Sequence, residues 1–196
     1  NTFIFEKNIL YLTHNFKNKT ITKKVLLTAV AVMAFGLTNA QETTMKVGAH
    51  VGIPMGDIKD YSALNVGADF TYLWEVADNF KAGFGTGITA YTSKEYDAPV
   101  YNPATFTFTT QKVKGDTSLF LPITGSAEYS FTENIFAGAD LGYAIGLAPD
   151  GIEGGFLYQP KVGYQTEKFD VFVGYKGISQ DGGTYSSVNL GFAYKL

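Results

Sequence analysis

The chain has no cysteine and no arginine, and only two histidines, His14 and His50. The missing cysteine removes disulfides, thiolate nucleophiles, Cys-type zinc sites and a lipidated Cys. The scarcity of histidine removes His-rich metal centres. Positive charge rests on lysine alone, 15 Lys against 18 Asp and Glu, for a formal charge of −3. Nucleic acid is gripped by clustered Arg and Lys, so it is not expected as a partner. Charged residues make up only 17% of the 196 residues, which fit one domain. Glycine and aromatics are abundant instead: 22 Gly, 16 Phe, 13 Tyr and one Trp. That profile does not fit an ordinary soluble enzyme.

Near the start, Lys23-Lys24 precede a mostly apolar run from Val25 to Leu37, followed by Thr38-Asn39-Ala40. Cations, an apolar run and a small residue are the three parts of a secretory signal peptide, expected over 21–40 with cleavage after Ala40. As a helix the run would reach only about 20 Å, short of a hydrocarbon core of roughly 30 Å. Residues 1–20 lack an initiating Met and any clear period, and are read as an unfolded upstream extension. The remaining domain, 41–196, carries ten Lys against 17 acids. It contains no run of even fifteen apolar residues, so no spanning helix is expected there.

Within 41–196, apolar residues recur every second position in eight segments: 46–55, 64–76, 80–92, 118–131, 135–147, 156–165, 169–177 and 185–196. Leu64, Val66, Ala68, Phe70, Tyr72, Trp74 and Val76 share one side of the second segment, opposite Asn65, Gly67, Asp69, Thr71, Leu73 and Glu75. A period of two marks β-strands with one apolar face. Tight turns at Ala77-Asp78-Asn79, Thr132-Glu133-Asn134 and Thr166-Glu167-Lys168 alternate with longer links at 56–63, 93–117, 148–155 and 179–184. The predicted fold class is all-β, an eight-stranded antiparallel up-and-down transmembrane β-barrel with both chain ends on the short-turn side.

Alternation alone also suits a soluble lipocalin-like carrier, whose apolar face turns inward. Three features favour the inverted arrangement. The non-apolar face is rich in Gly, including Gly48, Gly67, Gly85, Gly138, Gly163, Gly174 and Gly191. Glycine weakens a solvent-facing strand but leaves room inside a narrow barrel. Aromatics on the apolar face gather at the turn ends: Tyr72, Trp74, Phe80, Tyr129, Phe131, Tyr164, Phe169 and Tyr194, as in a membrane–water girdle. The strand charges all share the Gly face: Lys46, Lys81, Lys161, Lys176 and Lys195 with Asp69, Glu75, Glu128, Asp140 and Asp170. Phe70, Leu121 and Val173 are therefore expected to point outward into lipid. Five positive and five negative groups in a lumen filled by side chains must pair, so the pattern predicts a salt-bridged plug that conducts poorly or not at all.

The signal peptide, the eight strands and the ending Asn189-x-Gly191-x-x-Tyr194-x-Leu196 resemble the OmpA/OmpX-type outer-membrane β-barrel (porin-like) family. That ending is similar to the family's assembly signal, with Leu196 where Phe is usual. The resemblance implies residence in a Gram-negative outer membrane, contact with outer-membrane lipid and lipopolysaccharide, and insertion by the barrel-assembly machinery. It does not fix an activity, because the fold hosts anchors, adhesins, pores and a few lipid-modifying enzymes. The function expected is a non-enzymatic structural or surface-interaction (adhesin-like) barrel. A small porin for water or minor solutes and a lipid-A-modifying barrel enzyme are the alternatives.

Candidate chemistry is sparse: no catalytic, cofactor-binding or metal residues are expected. His50 reads as a hydrogen-bonding member of the lumen charge network, since no His-Ser-Asp set is visible around it. The Gly138, Gly142, Gly146 spacing returns to one strand face and reads as lumen. Asp150-Gly-Ile-Glu153 and Asp181-Gly-Gly read as turns. The 93–117 link carries Tyr96, Tyr101, Pro103 and the alternating Ala104-Thr-Phe106-Thr-Phe108-Thr-Thr110, then Lys112 and Lys114. Two readings stand side by side: a protruding hairpin whose open edge binds an extracellular partner, or a plain surface loop.

Overall fold

The computed structural model describes residues 43–103 and 106–196; the expected extension and signal peptide, with the cleavage point at Ala40, lie outside the described residues. The described residues form ten strands: β1 (Thr43–Met55), β2 (Ser62–Ala77), β3 (Phe80–Ser93), β4 (Glu95–Asn102), β5 (Thr107–Lys114), β6 (Ser118–Ser130), β7 (Ile135–Ala148), β8 (Gly155–Gln165), β9 (Phe169–Gln180) and β10 (Gly183–Lys195). Eight of them close into an antiparallel barrel in which β1 lies between β2 and β10, and β6 follows β3. β4 and β5 form a separate two-stranded hairpin between β3 and β6. The alternation seen in 93–117 is thus that of strands, not of a plain loop. No described helix is long and apolar enough to cross a membrane.

The sidedness follows the residue pattern. Val47, Val51, Ile123, Leu141, Val162, Val173 and Leu190 are exposed on the outer surface. Leu121 and Phe70 share the parity of the exposed Ile123 and Val66. Lys46, Glu128, Asp170 and Lys176 are buried inside. Such an inside-out distribution is stable only where the outer surface meets lipid, because contiguous apolar patches of this extent are not left in water.

Short turns close one end. In two of them a threonine makes the turn: Thr132 Oγ1 accepts from the Asn134 and Ile135 amides, and Thr166 Oγ1 from those of Lys168 and Phe169. This hydroxyl is the physical content of the repeated Thr-Glu-x turn. In the third, Asn79 adopts φ 62°, a left-handed conformation that Asn tolerates. The chain ends meet at the same end, where the Leu196 amide donates to the Met45 carbonyl.

At the opposite end one expected link is corrected. The 179–184 segment is not a long loop but a two-residue turn, Asp181-Gly182, because β9 and β10 continue to Gln180 and Gly183. Ile178 and Tyr185 are paired in register there, and both pack into an apolar cluster that rewards extending the ladder. The positive φ of this turn, 151°, falls on Gly183, where glycine alone is comfortable.

Glycine on the inner face makes room for large neighbours. A Cβ at Gly191 would run into the Phe172 ring, and one at Gly163 would lie 2.7 Å from the Phe136 ring and 2.8 Å from Phe172 Cβ. Gly191→Val is expected to lower stability by about 1–3 kcal/mol or to block folding, since neither backbone nor ring can retreat in a closed barrel. Gly182→Ala, at a position with nothing within 4 Å, is expected to stay within about 0.5 kcal/mol. Urea unfolding of both variants in lipid vesicles checks this.

Candidate functional site: the barrel lumen and its outer rim

Inward positions near the short-turn end carry an unbroken series of alternating charges. Lys195 Nζ lies 2.9 Å from Asp170, and Asp170 lies 2.7 Å from Lys46. Lys46 donates to Glu128 at 2.5 Å. Glu128 lies 3.4 Å from Lys161, which in turn donates to both oxygens of Asp140 at 3.1 Å. These six residues come from six strands: β10, β9, β1, β6, β8 and β7 in that order. Each side chain reaches the lumen because its neighbours in sequence are apolar and claim the outer face. Two aromatic rings, Phe136 and Phe172, lie beneath the ammonium groups of Lys46 and Lys161, at 5.4 and 5.5 Å from the ring centroids. A cation over a ring face gains electrostatically from the quadrupole, which helps hold a lysine that has left water.

A second group sits higher in the lumen. His50 Nδ1 lies 2.5 Å from Asp69 Oδ2, and His50 Nε2 lies 3.2 Å from Thr89 Oγ1 and 3.0 Å from Lys176 Nζ. With Lys176 as the ammonium, which carries donors only, Nε2 accepts from it and Nδ1 donates to Asp69. Asn65 Nδ2 donates to Thr89 Oγ1 at 2.8 Å. These residues lie on β1, β2, β3 and β9, so the two groups together draw on all eight barrel strands.

The Asp69–His50–Thr89 alignment joins three strands and is not visible in the sequence, which shows no His-Ser-Asp set. In form it resembles an acid–base–hydroxyl triad. Its chemistry is constrained by burial: Thr89 is 0% exposed, its oxygen already accepts from Asn65, and Lys176 occupies the nitrogen that a base would use. A hydroxyl that no substrate carbonyl can approach is a structural hydrogen-bonding group.

Lys81 and Glu75 mark the short-turn rim. They face each other in register, both half-buried, and Lys81 donates to Thr44 Oγ1 at 3.1 Å. Among the girdle residues, Tyr129, Phe131, Tyr164, Phe169 and Tyr194 are exposed, while Tyr72, Trp74 and Phe80 are half-buried. Tyr72 stacks on Phe84, Tyr129 meets Phe131 edge-on, and Phe169 stacks on Phe192. In the C-terminal pattern, Asn189 is buried in the lumen and Gly191 lies under Phe172. Tyr194 and Leu196 are exposed outside.

Two features escaped the sequence reading. Phe156, Tyr158, Tyr143 and Tyr175 form a second outward aromatic group toward the long-loop end, with Tyr158 stacked on Phe156 and tilted against Tyr175. From Phe156 to Tyr164 is eight residues of β8, about 20 Å along the axis for a strand rising ~3.3 Å per residue and tilted ~40°. That height suits a thin apolar band between two girdles. The other feature closes the long-loop end of the lumen. Tyr91, Phe120, Ala144, Leu157 and Ile178 are buried together, with Ile58, Ile152 and Tyr185 against them. Their inward parity is the signal the sequence carries for them, masked by the rule that sends apolar side chains outward.

Between the apolar cluster and the charge series a cavity of about 50 Å³ remains, lined among others by Lys46, Asp69, Ser126, Asp140, Lys161 and Lys176. It has room for a few water molecules.

No family model matches the sequence, and no curated protein matches it. Solved structures do. The crystal structure of Ail, the attachment invasion locus protein of Yersinia pestis, is 13% identical, with 80% of this chain and 99% of that one covered at a TM-score of 0.51. The N-terminal β-barrel domain of Pseudomonas aeruginosa OprF is 11% identical, covers 80% and 99%, and has a TM-score of 0.46. A de novo designed transmembrane β-barrel is 14% identical over 78% and 95%, at 0.46. At these identities the likeness is one of fold. The chain therefore has the closed, eight-stranded, antiparallel architecture of small transmembrane barrels, in keeping with the resemblance to OmpA/OmpX-type proteins.

Proposed function

We propose that this protein is an integral outer-membrane barrel with a structural and surface-interaction, adhesin-like role, its lumen plugged by paired charges. The observation that carries this reading is the inside-out barrel itself: an apolar exterior around a lumen in which Lys46, Glu128, Asp170 and Lys161 pair with one another. Exported by its signal peptide and inserted by the barrel-assembly machinery, the chain contacts outer-membrane lipid and lipopolysaccharide along that exterior. The name of Ail, attachment invasion locus protein, is in keeping with a surface role.

Two layers oppose conduction. A permeating ion would have to break contacts of 2.5–2.9 Å around Lys46 and Asp170, leaving desolvated charges unpaired at several kcal/mol each. Beyond them, the apolar cluster around Tyr91 and Phe120 offers nothing to replace an ion's hydration shell. The small porin is the second reading, favoured only by the residual 50 Å³ cavity. A lipid-A-modifying enzyme finds no support in the buried Thr89 and would show itself as a change in lipid A mass on overexpression.

Four outcomes are expected. Folded protein extracted from the outer-membrane fraction should migrate differently on a gel before and after boiling; recovery in the soluble periplasm would refute the barrel reading. Planar bilayers and liposome-swelling assays should register no stable nanosiemens channels and no solute uptake, whereas steady conductance would favour the porin. Asp170→Ala should destabilise the barrel by about 3–5 kcal/mol in vesicle urea unfolding, because Lys195 loses its carboxylate and Lys46 loses one of its two, keeping Glu128. Deleting 97–112 should abolish surface adhesion while the heat-dependent gel shift persists; intact adhesion would make the hairpin passive.

A further inference from the structure

We propose that the β4–β5 hairpin is a self-association element that joins the β4 edge of one copy of this chain to the β5 edge of the next through matched charges. Copies must share one membrane for this to occur, so the inference rests on the barrel reading above and names the partner of the hairpin: a second copy.

The hairpin is a two-stranded sheet, and among the described residues each of its strands has one side on which no strand is paired. Such edges are templates for another chain unless they are blocked. Charge here is divided by strand. Glu95 and Asp97 are on β4; Lys112 and Lys114 are on β5. All four are exposed, and none makes an ion pair within 4 Å among the described residues. In register, Glu95 stands opposite Lys114, Asp97 opposite Lys112 and Tyr101 opposite Phe108, so all six fall on one face of the sheet. The Tyr101 and Phe108 rings are 5.3 Å apart and both exposed. No charged residue lies between Asp97 and Lys112, which confines the charges to the base of the hairpin.

The membrane supplies the geometry. Barrels inserted in one bilayer all stand the same way up and at the same depth. Every β4 therefore runs in one direction and every β5 in the other. A β4 edge beside a neighbour's β5 edge is antiparallel at matched height, which repeats the register inside the hairpin: Glu95 beside the neighbour's Lys114, Asp97 beside its Lys112, Tyr101 beside its Phe108. Opposite charges directly across a strand pair stabilise it, and like charges destabilise it. Pairing two β4 edges or two β5 edges would run the strands parallel and set like charges side by side. Pro99 removes one backbone donor from β4, so the edge does not pair indiscriminately and charge selects the neighbour. Head-to-tail contacts of this kind close into rings or continue as rows.

The test uses the full chain in lipid vesicles, labelled with donor or acceptor dye at Gly182→Cys, the protein having no other cysteine. Energy transfer in wild type should exceed that of a non-interacting barrel at equal density, and should fall toward it in about 1 M salt, where the Debye length is ~3 Å. Glu95→Lys/Asp97→Lys makes both strands positive, and Lys112→Glu/Lys114→Glu makes both negative. Each variant alone should drop to the random level, while donor-labelled copies of one mixed with acceptor-labelled copies of the other should restore transfer. Restoration in the mixture cannot come from repair within a hairpin, because neither hairpin is itself repaired. Random-level transfer in wild type, or no recovery in the mixture, overturns the proposal. Should a reversed variant fail to fold, Glu95→Gln/Asp97→Asn replaces it; undiminished transfer in that variant likewise overturns the proposal. The heat-dependent gel shift is read on every sample: its absence in wild type strikes the barrel reading, whereas its presence with random transfer strikes only self-association.

Discussion

Pairing of lysines with carboxylates inside the barrel is the interaction on which the rest of this structure depends. Eight strands enclose a space that side chains nearly fill, so an ionised group placed there has little water to fall back on. The sign alternation from Lys195 through Asp170, Lys46, Glu128 and Lys161 to Asp140 gives every charge an opposite neighbour. Because each member comes from a different strand, the series cannot be assembled until the barrel closes. A slip of one residue in any of those strands would move its charge to the outside and bring apolar side chains in. The cost of a lysine facing mid-bilayer, about 2–4 kcal/mol, then adds to the loss of its partner. The network thereby specifies register as well as filling the lumen.

Space is the second constraint, and it explains the composition. A large inward side chain on one strand requires a small one on its neighbours. Phe172 lies over Gly191 on β10 and beside Gly163 on β8, and Phe136 also crowds Gly163. Gly138 leaves room for Glu128 and Lys161, whose atoms would lie 3.0 Å from a Cβ there. The same rings carry the lysine ammonium groups on their faces. Glycine, phenylalanine and lysine are thus three parts of one packing solution, set by the circumference of eight strands.

Period-two parity made the strands, the short-turn end and the lumen charges legible in the sequence, since each depends only on neighbours along the chain. Leu73 was placed on the inner side by parity, and it is fully buried there. What parity leaves open is which groups meet across the lumen. Lys46 and Glu128 are 82 positions apart, and His50 and Lys176 are 126 apart. Those distances depend on closure, on strand tilt and on the reach of lysine. Nor did a carboxylate, an imidazole and a hydroxyl on three strands announce that Asp69, His50 and Thr89 align. Apolar inward residues such as Phe120 and Ile178 were obscured by a physical ambiguity: at the outer end of the lumen, where charges stop, the inner face also becomes apolar.

The two ends of the barrel differ in a way that bears on where partners can attach. At the long-loop end, the apolar cluster holds two of the connections: Ile58 pulls in the link between β1 and β2, and Ile152 the one between β7 and β8. The link between β9 and β10 is cut to two residues. Among the described residues, only the chain between β3 and β6 forms strands outside the barrel sheet, with Phe106 between them 82% exposed and at φ 54°, a backbone conformation unfavourable for an aromatic residue. A two-stranded hairpin with no covering layer is marginally stable by itself. An element that exposes rings and opposite charges on separate strands gains most when another surface completes it. The apolar mouth and the uncovered hairpin are therefore complementary features: apolar side chains fill the lumen at this end, while rings and charges are exposed on the hairpin beside it.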